Sequence, residues 1–146
     1  MIKKIFLKPL PLLAFVVALT FLSSCEKSPE RTIIGEWAVI NREEKSNSNP
    51  NWTKMADCWL DDVETFTKDG NWELYLGTNW CSGQTNGVTK GKYSITSSGS
   101  RVEFTYDKVP GKYYDDIFEL TESTMVRTFN SGDIANSQVR ITYRRK

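Results

Sequence analysis

Val63-Glu64-Thr65-Phe66-Thr67-Lys68-Asp69-Gly70-Asn71-Trp72-Glu73-Leu74-Tyr75-Leu76 is the stretch that decides the fold. Two runs rich in β-branched and aromatic residues flank Asp69-Gly70, a strong hairpin dipeptide because glycine reaches positive φ without a Cβ clash. Two registers are open. A two-residue turn sets Cys58 opposite Cys81 and Trp59 opposite Trp80. A three-residue turn with Gly70 as a left-handed bulge sets Phe66 opposite Trp72, both inward. One extra residue at a bulge further along, for which Gly77 is the natural place, reconciles them.

Outward from this hairpin the same pattern repeats. Short apolar alternations occupy 34–42, 88–96, 101–106, 113–120, 125–130 and 139–144, separated by segments rich in Gly, Ser, Asn, Asp and Pro. With the hairpin they make eight strands, and no convincing amphipathic helix interrupts residues 33–146. The polar stretch 43–57, with Pro50, is a long loop, and 77–87 is another. Eight antiparallel strands with short connections predict an all-β, up-and-down barrel or a two-sheet sandwich.

The first residues have a different character. Met1-Ile2-Lys3-Lys4 and Lys8 precede an apolar run over 10–22 that is too short for a comfortable membrane span. Residues 1–24 therefore read as a secretory signal peptide. Leu22-Ser23-Ser24-Cys25 resembles the lipobox of bacterial lipoproteins, which implies cleavage after Ser24 and acylation of Cys25. Residues 25–32 then read as a flexible lipidated spacer before the domain at 33–146. The expected location is the cell envelope, at the outer membrane, anchored to the bilayer through Cys25.

Without Lys3, Lys4 and Lys8, the 19 basic residues fall to 16 against 18 acidic, and no basic face suited to a nucleic acid remains. With Cys25 committed to lipid, Cys58 and Cys81 form an even pair, which in an exported protein predicts a disulfide. Closing a loop of roughly 24 residues contributes about 3 kcal/mol in the chain-entropy model. The chain has no histidine. That excludes Ser-His-Asp and Cys-His catalysis, and with two cysteines left it disfavours a zinc site. Asp61-Asp62 and Asp115-Asp116 read as solvated turn or strand-end residues, since neighbours in a strand face opposite ways. No catalytic residue, metal or cofactor is expected.

Gly35-Glu36-Trp37 looks like the Gly-x-Trp signature of lipocalins. Cys58, Asp61-Asp62-Val63, Thr65-Phe66, Asp69-Gly70-Asn71-Trp72, then Cys81, Gly91-Lys92-Tyr93 and Ile141-Thr142-Tyr143-Arg144 resemble, in order and spacing, the lipocalin-like domain of Gram-negative lipoproteins. The resemblance covers about 33–146 and implies an eight-stranded barrel with an interior cavity. It further implies that Trp37 plugs the closed end beside Gly35, under an arginine of the last strand. Alternation from Val139, Ile141 and Tyr143 makes Arg145 that residue.

The corresponding function is non-enzymatic binding of a small, largely apolar ligand, in the barrel or at its mouth. Its expected contacts are Trp59, Trp72, Leu74, Trp80, Tyr93, Phe104 and Phe118, with Val39, Phe66 and Tyr143 also inward. Trp52, Trp59 and Trp80 gather near the disulfide at the open end, as a stapled mini-core or as an aromatic rim. The alternative is an interaction module, or an enzyme inhibitor, whose barrel is filled and whose loops meet a protein or glycan. Interior volume separates the two.

Overall fold

The computed structural model describes residues 28–82, 87–96, 98–131 and 136–146. The expected signal peptide 1–24 and the expected acylation site Cys25 lie outside the described residues. The described residues open with one helical turn, α1 (Pro29–Ile33), and continue as nine strands: β1 (Gly35–Lys45), β2 (Thr53–Lys54), β3 (Val63–Phe66), β4 (Asn71–Tyr75), β5 (Val88–Ile95), β6 (Arg101–Tyr106), β7 (Tyr113–Leu120), β8 (Thr124–Ser131) and β9 (Ser137–Arg145).

Every pairing is antiparallel, and β1 pairs with both β3 and β9, so eight strands close into an up-and-down barrel. Closure removes the open sheet edges that invite aggregation. The short β2 is an addition to the eight expected strands; it lies against the far end of β1, pairing Glu43 with Lys54. The loop 46–62 thus folds back onto the barrel wall.

The hairpin at Asp69-Gly70 adopts the three-residue turn. Phe66 faces Trp72 and Val63 faces Tyr75, and Gly70 has φ +74°. No extra residue is needed to bring the cysteines together, because Cys58 sits in a 3-10 turn (Asp57–Trp59) rather than on β3. Gly77 serves a different purpose from the expected bulge: a Cβ there would overlap the Asp61 carboxylate.

One end of the barrel is shut. Ile33, Trp37, Phe66, Val102, Met125 and Tyr143 are all fully buried. The helix α1 falls within the stretch expected to be a flexible spacer and its junction with the domain. It folds because Ile33 has an apolar floor to enter and Pro29 fits the first turn of a helix. The Trp37 indole donates to the Ile33 carbonyl at 2.7 Å. The Arg145 guanidinium lies 4.3 Å over the Trp37 ring and donates to the carbonyls of Ile34 (2.6 Å), Thr32 and Glu122. It satisfies orphan carbonyls at the end of α1 and in the β7–β8 turn while capping the plug. A Cβ at Gly35 would press on this guanidinium at 2.5 Å, at a φ of +137°, which accounts for glycine there.

Candidate functional site

Above the floor the interior changes character. Strand alternation that buries Phe66 also buries Glu64, and alternation from Met125 buries Arg127. These two meet in the centre of the barrel. Arg127 Nη2 donates to both Glu64 oxygens at 2.5 and 2.6 Å. The Tyr143 hydroxyl donates to Glu64 Oε1 at 2.6 Å and accepts from Arg127. The Trp72 indole donates to Glu64 Oε2 at 2.9 Å. Asp115 from β7 stands 3.2 Å from Arg127 Nη1, and the guanidinium carbon is 4.8 to 5.7 Å from the rings of Tyr143, Phe104 and Phe66.

Burial opposes the Arg127 charge, but Glu64, Tyr143 and Asp115 outweigh it and hold its pKa above the ordinary value. Burial likewise raises the Tyr143 hydroxyl, keeping it a neutral donor. Burial pushes the Asp115 carboxyl up to about 6, against the pull of Arg127. A buried ion pair of this kind is worth little against an apolar replacement, although removing one partner alone costs about 3–5 kcal/mol.

Both aspartate doublets therefore depart from their reading as solvated residues. Asp116 does point out, pairing with Arg101 at 2.7 Å, but Asp115 points in. Asp62 is only 4% exposed. It accepts the Gly77 amide at 3.1 Å, and burial raises its pKa. Asp61 accepts the amides of Thr78 and Asn79 at 2.6 and 2.9 Å. Those bonds, Asn79 foremost, hold its pKa below the ordinary value.

These aspartates fasten the 77–82 segment to the start of β3, and Cys58–Cys81 fastens it again, with the Cα atoms 5.2 Å apart. The mouth is thus built from two loops locked together, and Trp59, next to Cys58, is held over the interior. Beneath it lies Arg42. A bulge between Val39 and Asn41 leaves Ile40 outside and turns Arg42 inward. Its guanidinium stacks 4.0 Å from the Trp59 ring. Burial lowers its pKa, opposed by Tyr143, Asp62, Glu64 and Asp115.

Between this mouth and the charged layer runs a cavity of about 760 Å³. Of the expected contacts, Trp59, Trp72, Leu74 and Phe104 line it. The other three do not. Phe118 is 79% exposed on the outer wall: a bulge between Ile117 and Glu119 breaks the alternation, so that Asp115 and Ile117 face in before it and Leu120 after it. Tyr93 turns to the floor, where its hydroxyl donates to the Thr67 carbonyl at 2.9 Å and its ring meets Phe66 edge-on. Trp80 lies on the loop, half exposed, its indole donating to the Gly77 carbonyl. Trp52 packs outside the barrel under Lys45 and Arg140.

The residues that sequence reasoning missed are Arg42, Asp62, Glu64, Asp115 and Arg127. Glu64 and Arg127 were legible in principle, because each lies two positions from a core residue on its own strand. Among the described residues no group of acidic or cysteine side chains is disposed to hold a metal.

No protein-family model matches the chain, and no curated protein is significantly similar to it. Solved structures share its fold. A DUF4847 family protein from Bacteroides vulgatus superposes with a TM-score of 0.50 over 79% of this chain and 96% of that one, at 12% identity. A de novo designed fluorescence-activating β-barrel gives a TM-score of 0.47 at 12% identity, over 82% and 99% of the two chains. The likeness to the Bacteroides protein is one of architecture: a closed, eight-stranded antiparallel barrel.

Proposed function

We propose that this protein is a lipid-anchored, lipocalin-like binding protein of the cell envelope that holds a small molecule with a largely apolar body in the open half of its barrel. The observation that carries the reading is the cavity of about 760 Å³ behind the disulfide-clipped mouth. It falls within the range of roughly 300–1,000 Å³ typical of small-molecule sites. A barrel acting only as a rigid scaffold for its loops has no need of such a space. Leu74, Phe104, Phe129 and Ile141 give the ligand's body apolar wall, and the Glu64–Arg127 layer sets the depth it reaches. The anchor rests on Leu22-Ser23-Ser24-Cys25, and acylation there would hold the barrel at a bilayer surface without spanning it.

Titration with a neutral lipophilic naphthylamine probe tests the binding. Saturable quenching of tryptophan emission is expected. Most of it should vanish in Trp59→Phe if the probe sits under the mouth, or in Trp72→Phe if it reaches the charged layer. Absence of saturable quenching would favour the alternative, an interaction module contacting a protein or glycan through its loops. For the anchor, labelled palmitate should enter the wild-type chain and not Cys25→Ser; equal labelling of both would remove it.

A further inference from the structure

We infer that the ligand carries a carboxylate or similar oxyanion, and that Arg42 is the residue that binds it; this rests on the binding function proposed above. Among the described residues, the charges lining the cavity are paired with one exception. Glu64 takes three donors, from Arg127, Tyr143 and Trp72. Asp115 faces Arg127, and Asp62 accepts the Gly77 amide. At the rim Arg101 pairs with Asp116, and Lys112 with Glu103 at 2.8 Å. Each lining acid has a donor or a cation beside it. Among the described residues, Arg42 is the lining cation with no carboxylate within 4 Å, and its Nε is buried without an acceptor.

Placement makes this useful to a ligand. Arg42 and Arg127 both flank Ile141, Arg42 across the β1–β9 pairing and Arg127 across β8–β9, so the two residues leave the wall at one level, Arg42 reaching to Trp59 and Arg127 to Glu64. Arg127 Nε also lacks an acceptor, but Glu64 and Asp115 neutralise the Arg127 charge at 2.5 and 3.2 Å, so it belongs to the wall. The Arg42 guanidinium carbon lies 4.0 Å from the centre of the Trp59 ring, and a guanidinium held over a ring keeps N–H groups for a planar oxyanion. In a site walled by aromatic rings such a charge-assisted pair is stronger than in water. The recognised molecule is then an aromatic or aliphatic acid: its head on Arg42 beneath Trp59, its body along Phe129, Tyr106 and Leu74.

Isothermal titration of the intact domain with naphthylacetate, naphthylacetamide and naphthylethylamine separates the possibilities. The acid should bind at least tenfold more tightly than the amide, and the amine most weakly. Arg42→Gln should erase the difference between acid and amide, and Arg42→Lys should restore part of it. Equal binding of acid and amide to the wild type would overturn the anion assignment and leave the binding function standing. Tightest binding of the amine would overturn it in favour of recognition by Asp62 and Asp115. Failure of all three to bind would overturn both. The wild-type series decides even if Arg42→Gln does not fold.

Discussion

The two ends of this barrel are made from the same strands and solve opposite problems. At the closed end, Ile33, Trp37, Phe66 and Met125 exclude water completely, and Arg145 finds three carbonyls and a ring for its one guanidinium. At the open end, Arg42 has a ring and, among the described residues, no acceptor for its buried Nε, and it borders the cavity. Two arginines on aromatic rings, one saturated and one not, mark the division between stability and binding. Between them the Glu64–Arg127 layer belongs to neither: it contributes little net stability, yet it ends the apolar floor and fixes the bottom of the cavity.

Substitutions should report this division in order of size. Trp37→Ala should cost about 3–5 kcal/mol in urea unfolding, because the plug and the docking of α1 are lost together. Trp59→Phe at the mouth should cost under about 1.5 kcal/mol, since apolar volume is roughly kept. Equal costs would mean that the floor is not where stability resides. Arg127→Met should cost about 3–5 kcal/mol by stranding Glu64, and adding Glu64→Leu should recover most of it. A double-mutant cycle without recovery would mean that the pair is needed for folding itself. Next in size, replacing Cys58 and Cys81 by Ser should cost about 2–4 kcal/mol. Hydrogen exchange should rise in 46–62 and 77–82 and stay unchanged around Trp37. Uniform loosening would contradict the division.

The smallest effect is a pH dependence. The Asp115 carboxyl titrates at about 6 in the folded chain against 3.8 ordinarily. Between those values the native state holds a proton that the unfolded chain has released. Its contribution to stability is therefore fully present below about pH 4 and lost as pH rises through about 6. The slope attributable to it reaches at most about 1.4 kcal/mol per pH unit. The difference between wild type and Asp115→Asn, measured across this window, isolates it from Asp62. A flat difference would show that Asp115 titrates normally.

How far the sequence reached follows from the same physics. The hairpin is written in local turn chemistry and the cysteine pair in the two cysteines left once Cys25 is set aside, whereas the Trp37–Arg145 plug came from the Gly-x-Trp resemblance, with alternation along the last strand choosing Arg145. Arg42 and Phe118 sit at bulges, where a single unpaired residue inverts the faces, and no turn residue announces either one. Glu64 and Asp115 were hidden by a different cause. Residue type argues for solvent, and only a partner on a distant strand, Arg127, makes their burial tolerable. The helix α1 was illegible because five residues make no periodic signal; its reason to fold is the floor it enters.

The most direct test is native mass spectrometry of the protein purified from the cells that produce it, without organic solvent. The expected result is a discrete adduct of a few hundred daltons, one that leaves on denaturation, ionises as an acid, and is lost from Arg42→Gln. A single unliganded mass for the wild type, in a preparation shown to bind no added aromatic acid, would contradict it.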